Sequence, residues 1–238
     1  NPPTHPFNLA IAPAKAVMLK TDISSERTMD IDFYWDPGST NSYFAWHLLK
    51  PIALRHHAQI RPRSFNLGHV FRQHGYALTD EPIAKMCNRK RDLMRWAARY
   101  ERPFRIPDQF PIKTSRILRA AVAMRSWNSE AAFIDAVMTQ YWEQNDPSVA
   151  TDAGLAALVQ RFSIPEAAFL DALTAPETGQ VVILETQGGL DRGVFGAPTV
   201  VIESEIYWGK DRLEFVDRHL QTGHAELAAH EDNSEQRR

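Results

Sequence analysis

Phe195-Gly196-Ala197-Pro198-Thr199-Val200-Val201-Ile202 and, across Glu203-Ser204-Glu205, Ile206-Tyr207-Trp208-Gly209-Lys210-Asp211-Arg212-Leu213 are the residues on which the fold turns. Thr199 to Ile202 is a β-branched run, and a second apolar run follows a polar turn, so the pair reads as a hairpin. Pro198 heads the first strand, a position that tolerates a missing N–H. Gly209 ends the hairpin. Residues 210–220 then read as a helix, with Leu213, Phe215, Val216 and Leu220 as its apolar positions.

At the other end, Ile31-Asp32-Phe33-Tyr34-Trp35 reads as a buried strand. Asp36-Pro37-Gly38-Ser39-Thr40-Asn41 is a dense turn cluster. A helix is predicted over 42–57, with Phe44, Leu48, Leu49 and Ile52 on one side; Pro51 should bend or restart it. A short strand is expected around 59–65. That is a βαβ unit.

Between the two pieces, residues 68–192 show almost only helical periodicity. Phe133, Ile134, Val137, Met138, Tyr141 and Trp142 share one face, as do Leu155, Leu158, Val159 and Phe162. Thr151 is an expected N-cap, and Ser163 with Pro165 an expected helix start. The order is βαβ, helical block, ββα. The fold class is therefore α/β: a thioredoxin-like fold interrupted by an all-helical insertion domain. Its expected parts are 29–67 with 193–220 for the discontinuous thioredoxin-like domain and 68–192 for the insertion. Residues 1–28, with four prolines, read as an N-terminal extension without the pattern of a signal peptide, and Met29 is a candidate native start. Residues 221–238 read as a solvated, acidic C-terminal tail ending in two arginines.

Composition narrows the function classes. With 44% apolar and 24% charged residues in a chain of 238, an ordinary globular core is expected rather than disorder. Lys and Arg total 27 against 29 Asp and Glu, a net charge of −2, which argues against a nucleic-acid partner. No apolar run is long enough for a membrane span. A single cysteine, Cys87, excludes an internal disulfide, a CxxC redox pair and a cysteine-rich zinc site. No histidine spacing suggests a metal, so none is expected. Cys87 itself reads as half-buried packing rather than a nucleophile.

The chain resembles the 2-hydroxychromene-2-carboxylate isomerase and kappa-class glutathione transferase branch of the DsbA-like superfamily. Three stretches carry the resemblance. Phe195-Gly196-Ala197-Pro198-Thr199 with Trp208-Gly209-Lys210-Asp211-Arg212-Leu213 is similar to the branch's F-G-x-P-T … W/F-G-x-D-R-L. Asp92-Leu93-Met94-Arg95-Trp96-Ala97 with Pro103-Phe104-Arg105-Ile106-Pro107 is similar to the isomerase branch's helical insert. Asp32-Phe33-Tyr34-Trp35-Asp36, Ser39 and Ser42-Tyr43 match D-F-Y-F-D-x-x-S-P-x-S-Y, with Thr40 in place of the proline after the serine and Pro37-Gly38 in place of bulkier apolar residues.

The resemblance implies glutathione as cofactor and assigns residues to it. Ser39 would be the catalytic serine, at a helix N-terminus where a thioredoxin fold otherwise carries its redox cysteine. A serine cannot form a disulfide, but its hydroxyl can hydrogen-bond a thiolate and lower that thiol's pKa. A thiol near 8.5 need fall only about 1–2 units, roughly 1.4–2.7 kcal/mol, to be thiolate at neutral pH. Pro198 would be cis, turning the Ala197 backbone toward the cysteinyl part of the tripeptide. Asp211 would hold the γ-glutamyl ammonium, with N–H groups of the Lys210–Asp211 turn on the adjoining carboxylate. Lys85 would reach the glycyl carboxylate. It opens a stretch to residue 105 with eight basic residues and two acids; most of these read as a solvated helix face, though their local excess of positive charge would attract an anionic tripeptide or carboxylate. Thr40 and Trp208 are candidates for a substrate pocket. Two asparagines of the branch, near Tyr76 and at Lys113, are replaced.

The implied reaction is isomerisation of a conjugated aromatic carboxylate by reversible thiolate addition, as for a 2-hydroxychromene-2-carboxylate isomerase, in a cytoplasmic homodimer. The alternatives are a kappa-class-like glutathione S-transferase and a non-catalytic thioredoxin-fold binding protein. A DsbA-type disulfide oxidoreductase is excluded by the missing CxxC.

Overall fold

A computed structural model describes residues 28–76 and 81–225. The sequence expectations for 1–27 and 226–238 lie outside the described residues.

The sheet is built from two distant pieces of chain. Asp30–Trp35 (β1) runs parallel to Gln59–Ser64 (β2), joined by Thr40–Arg55 (α1). Thr199–Ile202 (β3) pairs antiparallel with the other side of β1, and Glu205–Trp208 (β4) with β3. The order is β2-β1-β3-β4. Pro62 sits in β2, an edge strand, where a missing N–H leaves no ladder bond unmade. The hairpin turn is tighter than expected: Glu205 already belongs to β4, and Glu203 takes a left-handed φ of 56°.

Among the described residues seven α-helices separate the halves: Leu67–Gln73 (α2), Ile83–Arg99 (α3), Ser115–Ala123 (α4), Glu130–Trp142 (α5), Asp152–Val159 (α6), Glu166–Thr174 (α7) and Pro176–Asp191 (α8). Leu213–Thr222 (α9) closes the fold after a short 3-10 turn at Lys210–Arg212. Phe133, Ile134, Val137, Met138, Tyr141 and Trp142 of α5 are all fully buried, as their periodicity requires. Thr151 caps α6 by accepting from the Gly154 amide. Ser163 does not cap α7. It takes a left-handed φ of 56° that ends the preceding 3-10 turn, and Pro165 stands at the α7 N-cap.

Pro51 does not restart α1, which runs unbroken past it. The residue is exposed, so its cost stays within the helix: the amide bond proline cannot make and the crowding of its ring against the carbonyl four residues back. The helix also starts at Thr40 rather than Ser42, because Ser39 caps it: the Ser39 Oγ accepts from the Ser42 amide at 3.2 Å.

Strand alternation divides the core. Ile31, Phe33 and Trp35 face a large cluster shared with α1, α9 and most of the helical insert. Tyr34, Phe65, Val70, Val194 and Val201 form a smaller cluster on the other face. Sheet and insert thus share one continuous apolar core. Its seam is aromatic: Tyr43 and Phe44 of α1 pack on Phe104, which stacks on Trp142 at 5.6 Å.

The α6 entry supplies a stability prediction. A Cβ on Gly154 would lie 2.1 Å from the Ser148 carbonyl oxygen, which is backbone and cannot yield cheaply. Gly154→Ala should cost about 2–3 kcal/mol and lower Tm by roughly 5–10 °C. An unchanged melting curve would show that the two segments do not pack this tightly.

Candidate active site

Three loops meet at one end of the sheet. The first is the turn from β1 to α1, the second the approach to β3, the third the exit from β4. Their register brings them together, since Tyr34 pairs with Thr199 and Thr199 with Trp208.

Ser39 stands at the α1 N-terminus, partly exposed. Its hydroxyl donates to the Ala197 carbonyl at 3.0 Å while its oxygen accepts the Ser42 amide. The Ala197–Pro198 peptide is cis, as the resemblance implies, and the Gly209 amide donates to the Pro198 carbonyl at 2.9 Å. Ser39, Ala197, Pro198 and the Trp208–Gly209 corner therefore form one constellation. Thr40 follows Ser39 as the first residue of α1.

Phe195 and Trp208 make an exposed aromatic pair beside it, their rings 5.1 Å apart. The indole turns its Nε1 edge to Gly196, where a Cβ would come within 2.8 Å of that nitrogen. Glycine is therefore needed at 196 for Trp208 to reach this position. Phe195 belonged to the quoted motif, but nothing in the sequence told whether its ring was buried or exposed.

Lys210 is buried and its ammonium is engaged twice. It donates to Asp211 Oδ1 at 2.8 Å and lies 4.2 Å from the centre of the Trp96 ring. Trp96 stacks on Tyr100 at 5.2 Å. These groups, with Leu48, Ile52, Arg99 and Leu213, line a groove of about 420 Å³ between α1, α3 and the last 3-10 turn. Asp211 is exposed at its edge. Burial, then the Asp211 charge, pushes the Tyr100 phenol above its usual range. Asp211 thus already holds an ammonium, that of Lys210, and any ligand cation must share or displace it.

Lys85 stands apart. It is exposed on the first turns of α3, and its partner among the described residues is Glu81 at 2.9 Å. Most of the basic run around it is paired as well. Five of its eight cations, Lys85, Arg89, Arg95, Arg102 and Arg105, are in ion pairs. Arg102 joins Glu143 and, with Tyr43, ties α1 to the insert. Beside it, burial and the Arg102 charge hold the His47 imidazole down at about 4, so it is neutral at physiological pH. Cys87 is exposed rather than half-buried, because the first half of α3 presents no apolar face to the core.

Two residues behind the turn escaped the sequence reading. Asp36 is buried, and its carboxylate accepts from the Gly38 amide at 2.8 Å, the Leu67 amide at 3.0 Å and the Thr114 hydroxyl at 3.0 Å. The first of these is an Asx turn, which Asp-Pro-Gly could have suggested. Trp142, 105 residues along the chain, donates its Nε1–H to the Pro37 carbonyl at 2.9 Å. No local signal points to that bond.

A smaller groove of about 280 Å³ lies between β1 and α8. It holds none of the candidate residues, and its Arg63 and Arg192 are both paired with Asp32. Among the described residues no helix is long and apolar enough to cross a membrane.

An N-capping hydroxyl against a cis-proline strand, with a helical insert between the second and third strands, defines a thioredoxin-class protein without a redox cysteine. The chain belongs to the DsbA-like thioredoxin domain family, whose model matches residues 30–221. Within that class it is similar to the 2-hydroxychromene-2-carboxylate isomerases. It is 31% identical over 204 residues to that of Sphingobium xenophagum, covering 81% of this chain and 98% of the relative. It is 29% identical to that of Pseudomonas sp. (strain C18), covering 77% and 86%. A solved 2-hydroxychromene-2-carboxylate isomerase superposes with a TM-score of 0.68 at 25% identity, covering 82% of this chain and 95% of that one. A probable DsbA oxidoreductase from Streptomyces coelicolor has a TM-score of 0.69 at 16% identity, covering 82% and 89%, and shares the fold.

Proposed function

We propose that this chain is a glutathione-dependent isomerase of the 2-hydroxychromene-2-carboxylate isomerase type, acting on a conjugated aromatic carboxylate. The observation that carries the reading is the Ser39 hydroxyl at a helix N-terminus, 3.0 Å from the carbonyl that precedes cis-Pro198. A thiol seated there meets a hydroxyl donor and the positive end of α1, both of which favour its ionised form.

The donor set suits the tripeptide. The Ala197 edge offers a carbonyl for the cysteinyl amide, and Ser39 can turn its hydrogen from that carbonyl to the sulfur. Asp211 offers a carboxylate to the γ-glutamyl ammonium. Lys85 is a weaker candidate, since its ammonium is committed to Glu81. Bound glutathione would supply a nucleophilic thiolate that adds to and leaves a conjugated double bond. Phe195 and Trp208 offer an aromatic surface for the substrate ring, with Thr40 beside Ser39 as a further hydroxyl.

The test is isomerisation of 2-hydroxychromene-2-carboxylate with and without glutathione. Turnover only with the thiol supports the reading. Conjugation of a chloronitrobenzene without isomerisation would make the chain a kappa-class-like transferase. No calorimetric glutathione binding at millimolar concentration would leave a non-catalytic binding protein. The reading includes a cytoplasmic location, because the reduced tripeptide belongs to a reducing compartment, and, from the family resemblance, a homodimer; a monomeric mass in solution would remove the dimer.

Asp211→Asn should weaken glutathione binding about 10- to 100-fold, the range for a hydrogen bond to a charged group. Isothermal titration would read it. An unchanged Kd takes Asp211 out of the site.

A further inference from the structure

The carboxylate of Asp36 has no part in the chemistry above, yet it organises the turn that carries Ser39. It connects three separate segments: Gly38 in the turn, Leu67 at the start of α2, and Thr114 just before α4 in the helical insert. Its backbone is tied to the same place. The Asp36 carbonyl accepts from the Ser39 amide at 3.0 Å, and the Asp36 amide donates to the Ser42 Oγ at 3.4 Å. Gly38 is wedged in the clamp, where a Cβ would lie 2.9 Å from Thr114 Cγ2 and 3.2 Å from Asp36 Oδ1.

We propose that Asp36 is the positioning residue of the Ser39 site: its ionised carboxylate clamps the turn to α2 and to the insert, and so holds the Ser39 hydroxyl at the Ala197 edge. Three donors converge on its two oxygens, Gly38 on Oδ1 and both Leu67 and Thr114 on Oδ2. Hydrogen bonds to an ionised carboxylate are roughly twice as strong as those to a neutral carboxyl, so protonation weakens all three at once. A proton on Oδ2 would in addition displace Leu67 or Thr114, and the clamp loosens.

The chemistry around the carboxyl supports this. Its neighbours, Gly38, Ser42, Leu67 and Thr114, are all neutral, and no charged side chain among the described residues contributes to its titration. Burial pushes the carboxyl up from 3.8 to about 6, against the pull of its three donors. The sign follows. The folded value lies above the unfolded one, so this group's share of stability is fully present below about 4 and lost as pH rises through 6. The clamping, ionised form is the one that burial disfavours. A fold that keeps it there at neutral pH trades stability for placement of the turn.

The proposal rests on Ser39 as the hydroxyl that meets the thiol, but its test separates the two. Amide resonances of Gly38, Ser39 and Leu67 are followed from pH 5 to 8 in the full chain, in Asp36→Asn and in Thr114→Val. The expected result is a shared titration near pH 6, absent in Asp36→Asn and moved to higher pH in Thr114→Val, which removes one donor from the carboxylate. A Ser39 amide that does not titrate, or that still titrates in Asp36→Asn, overturns the clamp; if Asp36→Asn does not fold, an unmoved midpoint in Thr114→Val does so. In the isomerisation assay at pH 7.5, Asp36→Asn should lose about tenfold in kcat with KM within about threefold. Full kcat in that variant overturns the positioning role. An inactive parent chain would sink the isomerase reading, while the amide titration still decides the clamp.

Discussion

Ser39→Ala should lower kcat for the proposed glutathione-dependent isomerisation about 100-fold or more, the usual cost of removing one donor from a developing or standing anion. The Kd for glutathione stays within a factor of about three. The split follows from geometry. Ser39 Oγ sits between the Ser42 amide and the Ala197 carbonyl. On the proposed reading it would meet the ligand at the sulfur, and the Ala197 backbone and Asp211 would hold the rest of the tripeptide. The variant also loses the α1 cap, which costs about 1 kcal/mol. That is too little to unfold a domain of this size, and circular dichroism checks it. Ser39→Thr restores the hydroxyl and should recover much of the rate. Kinetics and calorimetry on the same preparations give the answer. Equal losses in kcat and affinity would mean that Ser39 holds the ligand without activating it, and full activity would remove it from the chemistry.

The second large effect is expected at Trp142→Ala. The side chain is fully buried, stacks on Phe104, tilts against Phe110 at 5.8 Å, and donates to the Pro37 carbonyl. Truncating a buried tryptophan costs about 3–5 kcal/mol through lost burial and the cavity left behind. The orphaned Pro37 carbonyl adds roughly 1–3 kcal/mol. Together these should lower Tm by about 10–20 °C. Trp142→Phe separates the two terms: it keeps most of the ring contact and loses the N–H. It should melt only a few degrees low, yet disturb the turn that carries Ser39. A thermal melt within about 3 °C of the parent for Trp142→Ala would show that the insert does not brace that turn.

Local pattern carried much of the architecture. The β-branched runs at Thr199 and Ile31, the turn at Asp36-Pro37-Gly38, and the 3.6-residue periodicity of α5 and α6 each depend on neighbours in sequence. So do the Thr151 cap and the placement of Ser39 between a strand and a helix. The signal at Ser163 and Pro165 placed the start of α7 correctly, although Ser163 itself closes the turn before it and does not cap the helix. Pro51 leaves α1 in one piece where a restart was one of the two expectations, and its exposure is a fact about packing and not about propensity.

What the sequence by itself determined is the order of elements and the hydroxyl at the head of α1, since hydrophobic period, caps and turn residues act within a few positions. Only the tertiary structure decided the company that hydroxyl keeps. Ala197 lies 158 residues from Ser39, Thr114 lies 78 from Asp36, and Trp142 lies 105 from Pro37. It also decided that Lys210 is buried with its ammonium over the Trp96 ring of α3. Hydrogen bonds and burial across such separations depend on how packed surfaces meet, and no short-range pattern encodes that meeting.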